Sequence, residues 1–294
     1  MSWHESLKYF LEKGLQSNAD SCAWCRGRIW QEKLIRQQTM LEIKPPSIQQ
    51  LCRRCAAEIP WIEQVTCNIC GRAEPCGDCV RRRNSNLGIN RSAVKYSQQM
   101  KEWLARYKYR GDERLASLFQ EMMVYAYRRL VFDTMWSGGR LGQCEPVTIL
   151  TYVPLSDERL RERGFNQARD MAAGIGRRLH LPIVPLLRRT QDTDKQSYKK
   201  RRDRYDSLVG IFQIHETGWK EMITIGQRHW NRRKRYILRP PSTEIRVIQL
   251  VIVDDVYTTG STLQHCAKII REAYSHELTE LGIQLSIDAV TWAR

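Results

Sequence analysis

The chain lacks the hydrophobic segments that direct a protein into or across a membrane. Within its 294 residues no apolar run approaches the ~20 residues of a membrane-spanning helix. The stretch from Met1 to Phe10 is interrupted by Ser, His, Glu and Lys, whereas a secretory signal has a continuous apolar centre. The sequence therefore predicts a cytoplasmic protein with no membrane span, long enough for about two domains.

Acidic residues are also comparatively few. The chain has 32 Asp and Glu against 48 Lys and Arg, which gives a net charge of +16. This excess favours a polyanionic partner such as nucleic acid, an anionic membrane surface or a phosphorylated small molecule, although a solvated basic surface would also account for it. Basic clusters occur at 81–83, 188–189, 199–202 and 232–235, and bases of single-stranded DNA could stack on Trp230 and Tyr236 beside the last one.

Cysteine is nearly absent outside one segment. Eight of the ten cysteines lie between residues 22 and 79 as four Cys-x-x-Cys pairs, and Cys144 and Cys266 stand alone. In a cytosolic chain this spacing predicts metal binding rather than disulfides, and four tandem pairs disfavour a thioredoxin-like redox motif. Two such turns complete a structural zinc site, so we predict two zinc ions. The simplest pairing places one ion on Cys22, Cys25, Cys52 and Cys55 and the other on Cys67, Cys70, Cys76 and Cys79, while an interleaved pairing stays open.

The cysteine-rich segment is expected to form a module of its own. Zinc would supply folding energy that so small and core-poor a segment lacks. The polar, basic stretch at 81–90 predicts a boundary, with an N-terminal helix and zinc-ribbon module over 1–85 and a second domain over 86–294. A basic insertion near 216–246, which could be a hairpin, interrupts the second domain.

Strand and helix patterns alternate in the second part of the chain. Strands are predicted at 147–153, 183–184, 208–214, 250–253 and 284–292, and helices at 94–111, 113–130, 168–179 and 263–274. This alternation predicts an α/β fold with a mostly parallel sheet. Trp103 and Tyr107 have helical spacing and are expected to pack inside rather than to stack on bases. The basic segment 188–204 is either a loop that closes over an anionic ligand or a disordered stretch.

The most specific pattern is the run from Val251 to Thr262. A buried strand leads into two carboxylates, a hydroxyl-rich turn and a helix, which suits the parts of 5-phosphoribosyl-1-diphosphate (PRPP). The carboxylates can accept hydrogen bonds from the ribose diol, the turn and helix start can hold the 5-phosphate, and Mg²⁺ would chelate the diphosphate. An ordinary strand–turn–helix link with capping residues is the alternative. The candidate PRPP-binding residues are Asp254, Asp255, Thr258, Thr259, Gly260, Ser261 and Thr262.

A second candidate group follows the strand at 147–153. Arg161 and Arg163 would lie at the carboxyl end of this strand, where ligands of parallel sheets bind, and could help the diphosphate to leave. In a catalytic protein, Asp254 and Asp255 would also stabilise the oxocarbenium-like sugar. A solvated helix surface with charge pairs is the alternative for the arginines.

Taken together, these motifs make the chain resemble the ComF/ComFC family of competence proteins. The resemblance rests on the paired cysteines and on four blocks, at 108–112, 159–167, 254–262 and 291–294. It implies a double zinc ribbon followed by a type I phosphoribosyltransferase-like domain that binds PRPP. It also implies a role in natural transformation, in which incoming single-stranded DNA is handled in the cytoplasm after uptake. Partners implied are a competence helicase or uptake-machinery proteins at the membrane.

The motifs leave the type of activity open. An active phosphoribosyltransferase of nucleotide metabolism or salvage, unrelated to DNA, is the main alternative, and no residue set identifies its acceptor. A PRPP-responsive transcription regulator is less favoured because the sequence shows no helix-turn-helix pattern. Some proteins with this type of PRPP loop only sense the ligand, so the loop does not by itself predict turnover.

Overall fold

The computed structural model of the chain describes residues 21–29, 46–80, 85–110, 113–136, 146–190, 210–236 and 246–294. The cysteine-rich part contains little regular structure. A 3₁₀ helix covers Pro46–Gln50, and two short helices follow, α1 at Arg53–Ala57 and α2 at Gly77–Val80. The rest of the described part is turns, irregular segments and isolated bridges, and Leu51 and Ile59 are buried together with Cys22 and Cys55.

A four-stranded parallel sheet forms the centre of the molecule. Its strands are β1 (Asn90–Val94), β2 (Val147–Tyr152), β5 (Arg246–Val256) and β6 (Ile283–Ala293), in the spatial order β1-β6-β5-β2. Beyond β2, a parallel bridge between Leu150 and Ile183 extends the sheet by one position. Separately, β3 (Leu187–Arg189) and β4 (Phe212–Ile214) form an antiparallel pair.

Six longer helices accompany these strands among the described residues. They are α3 (Gln98–Arg110), α4 (Glu113–Trp136), α5 (Asp157–Arg163), α6 (Gln167–Leu179), α7 (Glu216–Tyr236) and α8 (Ser261–Glu280). The predicted α/β architecture with a mostly parallel sheet flanked by helices is confirmed.

The sheet separates two hydrophobic cores, because alternate residues of each strand face opposite sides. Val251 and Val253 pack with α3, α4 and α6, whereas Ile248, Leu250 and Ile252 pack with α7 and α8. Each core also contains cysteines of one cluster. Cys22 and Cys55 belong to the first core, and Cys70, Cys76 and Cys79 belong to the second.

The hairpin considered for the basic insertion is wrong. Residues 216–236 form the helix α7, whose apolar residues Trp219, Met222, Ile223 and Trp230 are buried in the second core. Trp230 is also covered by the guanidinium of Arg246, 5.6 Å from its ring centroid, so it offers no open face to a base. The helical spacing of the apolar residues was concealed by the many charges between them.

Other differences concern the lengths of elements. β1 had not been predicted, β5 is longer than expected at both ends, and β4 is shorter. Trp103 and Tyr107 are buried in the first core, as predicted. The greater part of the proposed closing segment, residues 191–204, lies outside the described residues, as do Cys144 and the basic clusters at 81–83 and 199–202.

Candidate functional site

The strand connections define one edge of the sheet as a binding crevice. From β2 the chain passes through α5 and α6 to residue 183, on the side of β2 away from β5. From β5 it passes through α8 to β6, in the opposite direction. In open parallel sheets, ligands bind at the carboxyl ends of the two strands between which the connections diverge. Here those strands are β2 and β5, and Tyr152, the last residue of β2, pairs with Val253 near the end of β5.

Both candidate aspartates lie at this edge, in the last residues of β5. An Asp254 carboxylate oxygen accepts a hydrogen bond from the backbone N–H of Asp255, 2.9 Å away. Asp255 forms an ion pair with the Lys108 ammonium group from α3, and both of these side chains are 19% exposed. Lys108 was not among the predicted site residues, although it lies within one of the blocks on which the family resemblance rests. The only sequence signal for its role was that block.

Burial changes the ionisation of Asp254. Desolvation, together with the negative charge of Asp255, raises the pKa of Asp254 to about 8, and the positive charges of Lys108 and Arg189 counteract the rise only in part. The ligand-free protein therefore favours the neutral form of Asp254 more than water does. A divalent cation or a hydrogen-bond donor brought next to the pair would favour its ionised form.

The turn after the aspartates is ordered by its own contacts. Gly260 adopts a left-handed conformation, with φ of 74°, and a Cβ at this position would lie 2.2 Å from the Tyr257 hydroxyl oxygen. The hydroxyls of Thr259 and Ser261 lie 2.8 Å apart, in hydrogen-bond contact. Thr258 is exposed, whereas Thr262 is half-buried in the first turn of α8. The turn therefore places hydroxyls and the first N–H groups of α8 beside the end of β5, an arrangement that can hold an anion.

Arg161 and Arg163 lie on α5, which follows the adjacent strand β2. The helix begins at the cap residue Ser156, whose hydroxyl accepts a hydrogen bond from the Arg159 N–H at 3.4 Å, and ends before the left-handed Gly164. Arg163 contacts Tyr109, with its guanidinium carbon 5.3 Å from the ring centroid. Arg161 donates to the carbonyl oxygen of Asp157 at 3.2 Å. Among the described residues, the contacts of the two arginines are with Tyr109 and Asp157 and not with the aspartates.

Two further residues of the same sequence block have structural roles. The Asn166 side chain accepts from the Arg169 N–H at 3.2 Å and donates to the Val153 carbonyl oxygen at 3.1 Å. It therefore caps α6 and fastens this helix to the end of β2. Gln167 is buried at the start of α6. The block therefore fastens α6 to the end of β2, in addition to supplying the arginines.

The eight paired cysteines form two compact clusters with the simplest predicted pairing. In each, the four sulfurs lie within 4.8 Å of one another, and the two groups are Cys22, Cys25, Cys52 and Cys55, and Cys67, Cys70, Cys76 and Cys79. The Cys25–Cys52 and Cys70–Cys76 sulfur distances are both 3.7 Å. Four sulfurs at 2.3 Å from one tetrahedral ion would be about 3.8 Å apart, so the clusters fit zinc.

The ionisation of the thiols supports the same interpretation. In the second cluster, burial disfavours the thiolate at both Cys76 and Cys79. Hydrogen bonds from backbone amides and neighbouring thiols outweigh burial at Cys76 and lower its pKa to about 6, while burial and the adjacent thiols raise the pKa of Cys79. The first cluster has the same inequality between Cys22 and Cys55. Thiols packed so closely cannot all ionise unless a cation lies among them, and zinc supplies that charge.

Arg294 links the second cluster to the turn. One terminal nitrogen of its guanidinium donates to the Cys70 sulfur at 3.0 Å. The other donates to the carbonyl oxygens of Tyr257, at 3.0 Å, and Thr258. The guanidinium also stacks on the Tyr257 ring, 4.4 Å from its centroid. This contact between the two candidate sites was not predicted from the sequence.

These features define a class of protein. The chain is an α/β protein with a parallel sheet and two four-cysteine clusters, consistent with a double zinc ribbon joined to a phosphoribosyltransferase-like domain. Among the described residues, each helix is too short or too polar to cross a membrane.

Comparison with known proteins identifies relatives along most of the chain. Competence protein ComFC of Bacillus subtilis is 28% identical over 260 residues, which cover 85% of this chain and 88% of the relative. Competence protein ComFC of Streptococcus pneumoniae is 24% identical, covering 79% and 86% respectively. Competence protein F of Haemophilus influenzae is 23% identical, covering 79% and 89%. The resemblance to the ComF/ComFC family is thus confirmed, whereas no family model and no solved structure matches the chain.

Proposed function

We propose that the chain binds PRPP, or a related 5-phosphoribosyl ligand, together with Mg²⁺ at the carboxyl edge of β2 and β5. Asp254 and Asp255 accept hydrogen bonds from the ribose diol, and the turn from Thr258 to Thr262 holds the 5-phosphate. The observation that carries the proposal is that the acid pair and the left-handed turn at Gly260 follow one another where the strand connections diverge.

The diphosphate of the ligand is assigned to the side of the crevice next to β2. Arg161 and Arg163 follow the end of that strand, and their positive charges suit a polyphosphate. Mg²⁺ bound to the diphosphate would supply the charge that favours ionisation of the acid pair. Lys108 then neutralises part of the negative charge that two aspartates and a diphosphate bring together.

We further propose that this binding serves natural transformation, in which the protein handles incoming single-stranded DNA in the cytoplasm. The support is similarity to three proteins named as competence proteins and a net charge of +16. The zinc-ribbon segment over 1–85 is the proposed docking part for a competence helicase or another uptake component. The burial of Trp230 removes it from the proposed DNA surface, so contact with DNA is assigned to cations rather than to base stacking at this residue.

Calorimetric titration with PRPP in the presence of Mg²⁺ tests the first proposal, with ribose 5-phosphate and diphosphate as separate ligands. We expect saturable binding of PRPP that weakens without Mg²⁺. If neither PRPP nor ribose 5-phosphate binds, the proposed ligand class is wrong. Release of diphosphate from PRPP, measured with candidate base and amine acceptors and with or without single-stranded DNA, distinguishes a transferase from a ligand-binding protein.

Filter binding of single-stranded DNA over a range of salt concentrations tests the second proposal. A contact made through phosphates weakens steeply as salt rises, because bound cations are released from the DNA when the protein binds. We expect binding at low salt with a steep negative slope. No binding at low salt would remove the DNA-handling role and leave the metabolic alternative.

A further inference from the structure

We infer that Arg294 is a positioning residue that makes the shape of the phosphate-binding turn depend on metal in the second cysteine cluster. The inference starts from the contacts of its guanidinium, which joins the Cys70 sulfur to the carbonyls of Tyr257 and Thr258. Its relevance to ligand binding rests on the proposed function, whereas the structural coupling itself does not.

The backbone of Arg294 is fixed from both sides. Its N–H donates to the Val94 carbonyl at 2.9 Å, and its own carbonyl accepts from the Tyr96 N–H at 2.8 Å. The side chain therefore leaves the end of the sheet from a defined point. Since a guanidinium is a rigid planar fork, its two terminal nitrogens hold the cluster and the turn at a fixed separation.

Charge favours this link when metal is bound. Four thiolates around Zn²⁺ carry a net charge of −2, which the half-buried guanidinium of Arg294 can offset while it donates to the Cys70 sulfur. The terminal nitrogen that donates to Cys70 also lies 4.0 Å from the Cys76 sulfur. Without zinc nothing holds the four sulfurs at a common distance, so the position of the Cys70 sulfur that the guanidinium contacts is no longer fixed. The constraint that holds the guanidinium between cluster and turn is then lost.

The contacts on the turn side reach the residues that precede Gly260. Arg294 stacks on the Tyr257 ring, and that ring closes the space in which a Cβ on Gly260 would lie. Displacement of the guanidinium would therefore remove its hydrogen bonds to the Tyr257 and Thr258 carbonyl oxygens. It would also remove its contact with the Tyr257 ring, which lies against Gly260. The first cluster offers a natural comparison, because it packs in the other core, with α3 and α4.

Hydrogen exchange of the backbone amides of residues 257–262, read by mass spectrometry on the ligand-free full chain, tests the coupling. We expect Arg294→Met to raise exchange in this segment at least tenfold while zinc content stays at two ions per chain. Arg294→Lys keeps the positive charge but lacks the planar fork, so exchange in this segment should lie between that of the wild type and that of Arg294→Met. Cys76→Ser with Cys79→Ser should produce the same exchange increase in the turn, and addition of Arg294→Met to that variant should change it little further.

The matched control is Cys25→Ser with Cys52→Ser, which removes metal from the first cluster and should leave exchange at 257–262 unchanged. Exchange in β5 and β6 monitors folding, and an increase confined to the turn is required. Equal exchange in wild type and Arg294→Met, or an equal response to loss of either cluster, would overturn the inference. Absence of PRPP binding by the wild type would refute the proposed function alone, because the exchange measurement uses no ligand.

Discussion

Replacement of both aspartates, Asp254→Asn with Asp255→Asn, is the most direct test of the acid pair. In the proposed complex each carboxylate accepts a hydrogen bond from one ribose hydroxyl. A hydrogen bond to a charged group contributes ~1.5–3 kcal/mol, so the pair would contribute roughly 3–6 kcal/mol. An asparagine side chain keeps one neutral acceptor, which places the expected loss near the lower limit. About 3 kcal/mol corresponds to a weakening of roughly 100-fold in the dissociation constant for PRPP.

The same substitution should leave the fold intact. Burial and the charge of Asp255 raise the pKa of Asp254 to about 8 in the folded chain, above its value when unfolded. A carboxyl with a raised folded-state pKa stabilises the fold below its unfolded pKa and loses that contribution as pH rises through about 8. Asparagine has no ionised form to bury, so the thermal unfolding midpoint at pH 8 should not fall. The Lys108 ammonium loses its partner, which limits any gain in stability.

Calorimetry with Mg²⁺ and PRPP measures the loss, and thermal unfolding and elemental analysis measure fold and zinc. Glu221→Gln is the control because this side chain is an exposed carboxylate on α7. PRPP affinity within threefold of wild type in the double variant, with the fold and zinc content unchanged, would refute the role assigned to the pair.

Three further results are expected. Elemental analysis should find two zinc ions per chain, and one or none would contradict the two-cluster assignment. Gly260→Ala combines a positive φ with a clash against Tyr257, so it should cost more stability than the ~1–2 kcal/mol of a left-handed alanine and abolish phosphate binding. Gly282→Ala is the control, because Gly282 also has a positive φ, 63°, but a Cβ there would have no atom within 4 Å. This variant should lose only the stability that a left-handed alanine costs, and its affinity for PRPP should be unchanged. The affinity for PRPP should rise between pH 6 and pH 8, because Asp254 ionises over this range. Calorimetry at several pH values should find that the affinity of Asp254→Asn does not change with pH in this way.

The cysteine clusters could be predicted because their signal is local. A Cys-x-x-Cys turn fixes the relation of two thiols within four residues, so the only open question was how the four turns pair. In the structure the first two turns along the chain form one cluster and the last two form the other. The acid pair and its turn could be recognised for the same reason, since strand, carboxylates, turn and helix follow one another without a break.

The strand β1 could not be predicted because its sequence is polar at positions that the fold buries. Asn90, Arg91 and Ser92 are all buried, whereas buried parallel strands usually read as apolar runs. Their polar groups find partners only in the folded chain, such as the Thr291 hydroxyl 2.6 Å from that of Ser92. Arg91 likewise pairs with Asp133 on α4. No pattern within the sequence of β1 predicts these contacts.

Lys108 and Arg294 show the same limit for the candidate site. The ion pair of Lys108 with Asp255 and the contact of Arg294 with Cys70 join residues far apart in sequence. Each depends on how α3, the sheet and the cysteine clusters pack, and that arrangement follows from the fold as a whole. Their sequence blocks marked them as part of the resemblance, but spacing alone gave no indication of a partner.

The arrangement of the two clusters bears on how the proposed module over 1–85 relates to the sheet. The backbone N–H of Ile62 donates to the Ala93 carbonyl of β1 at 3.0 Å, and Trp61 forms a bridge with Val94. Because cysteines of the two clusters are buried in opposite cores, metal on either one supports packing on its own side of the sheet. Within the part of the chain that the structure describes, Arg294 ties the second cluster to the candidate phosphate turn. Loss of the two metals should therefore have unequal effects on ligand binding even where the effects on stability are similar.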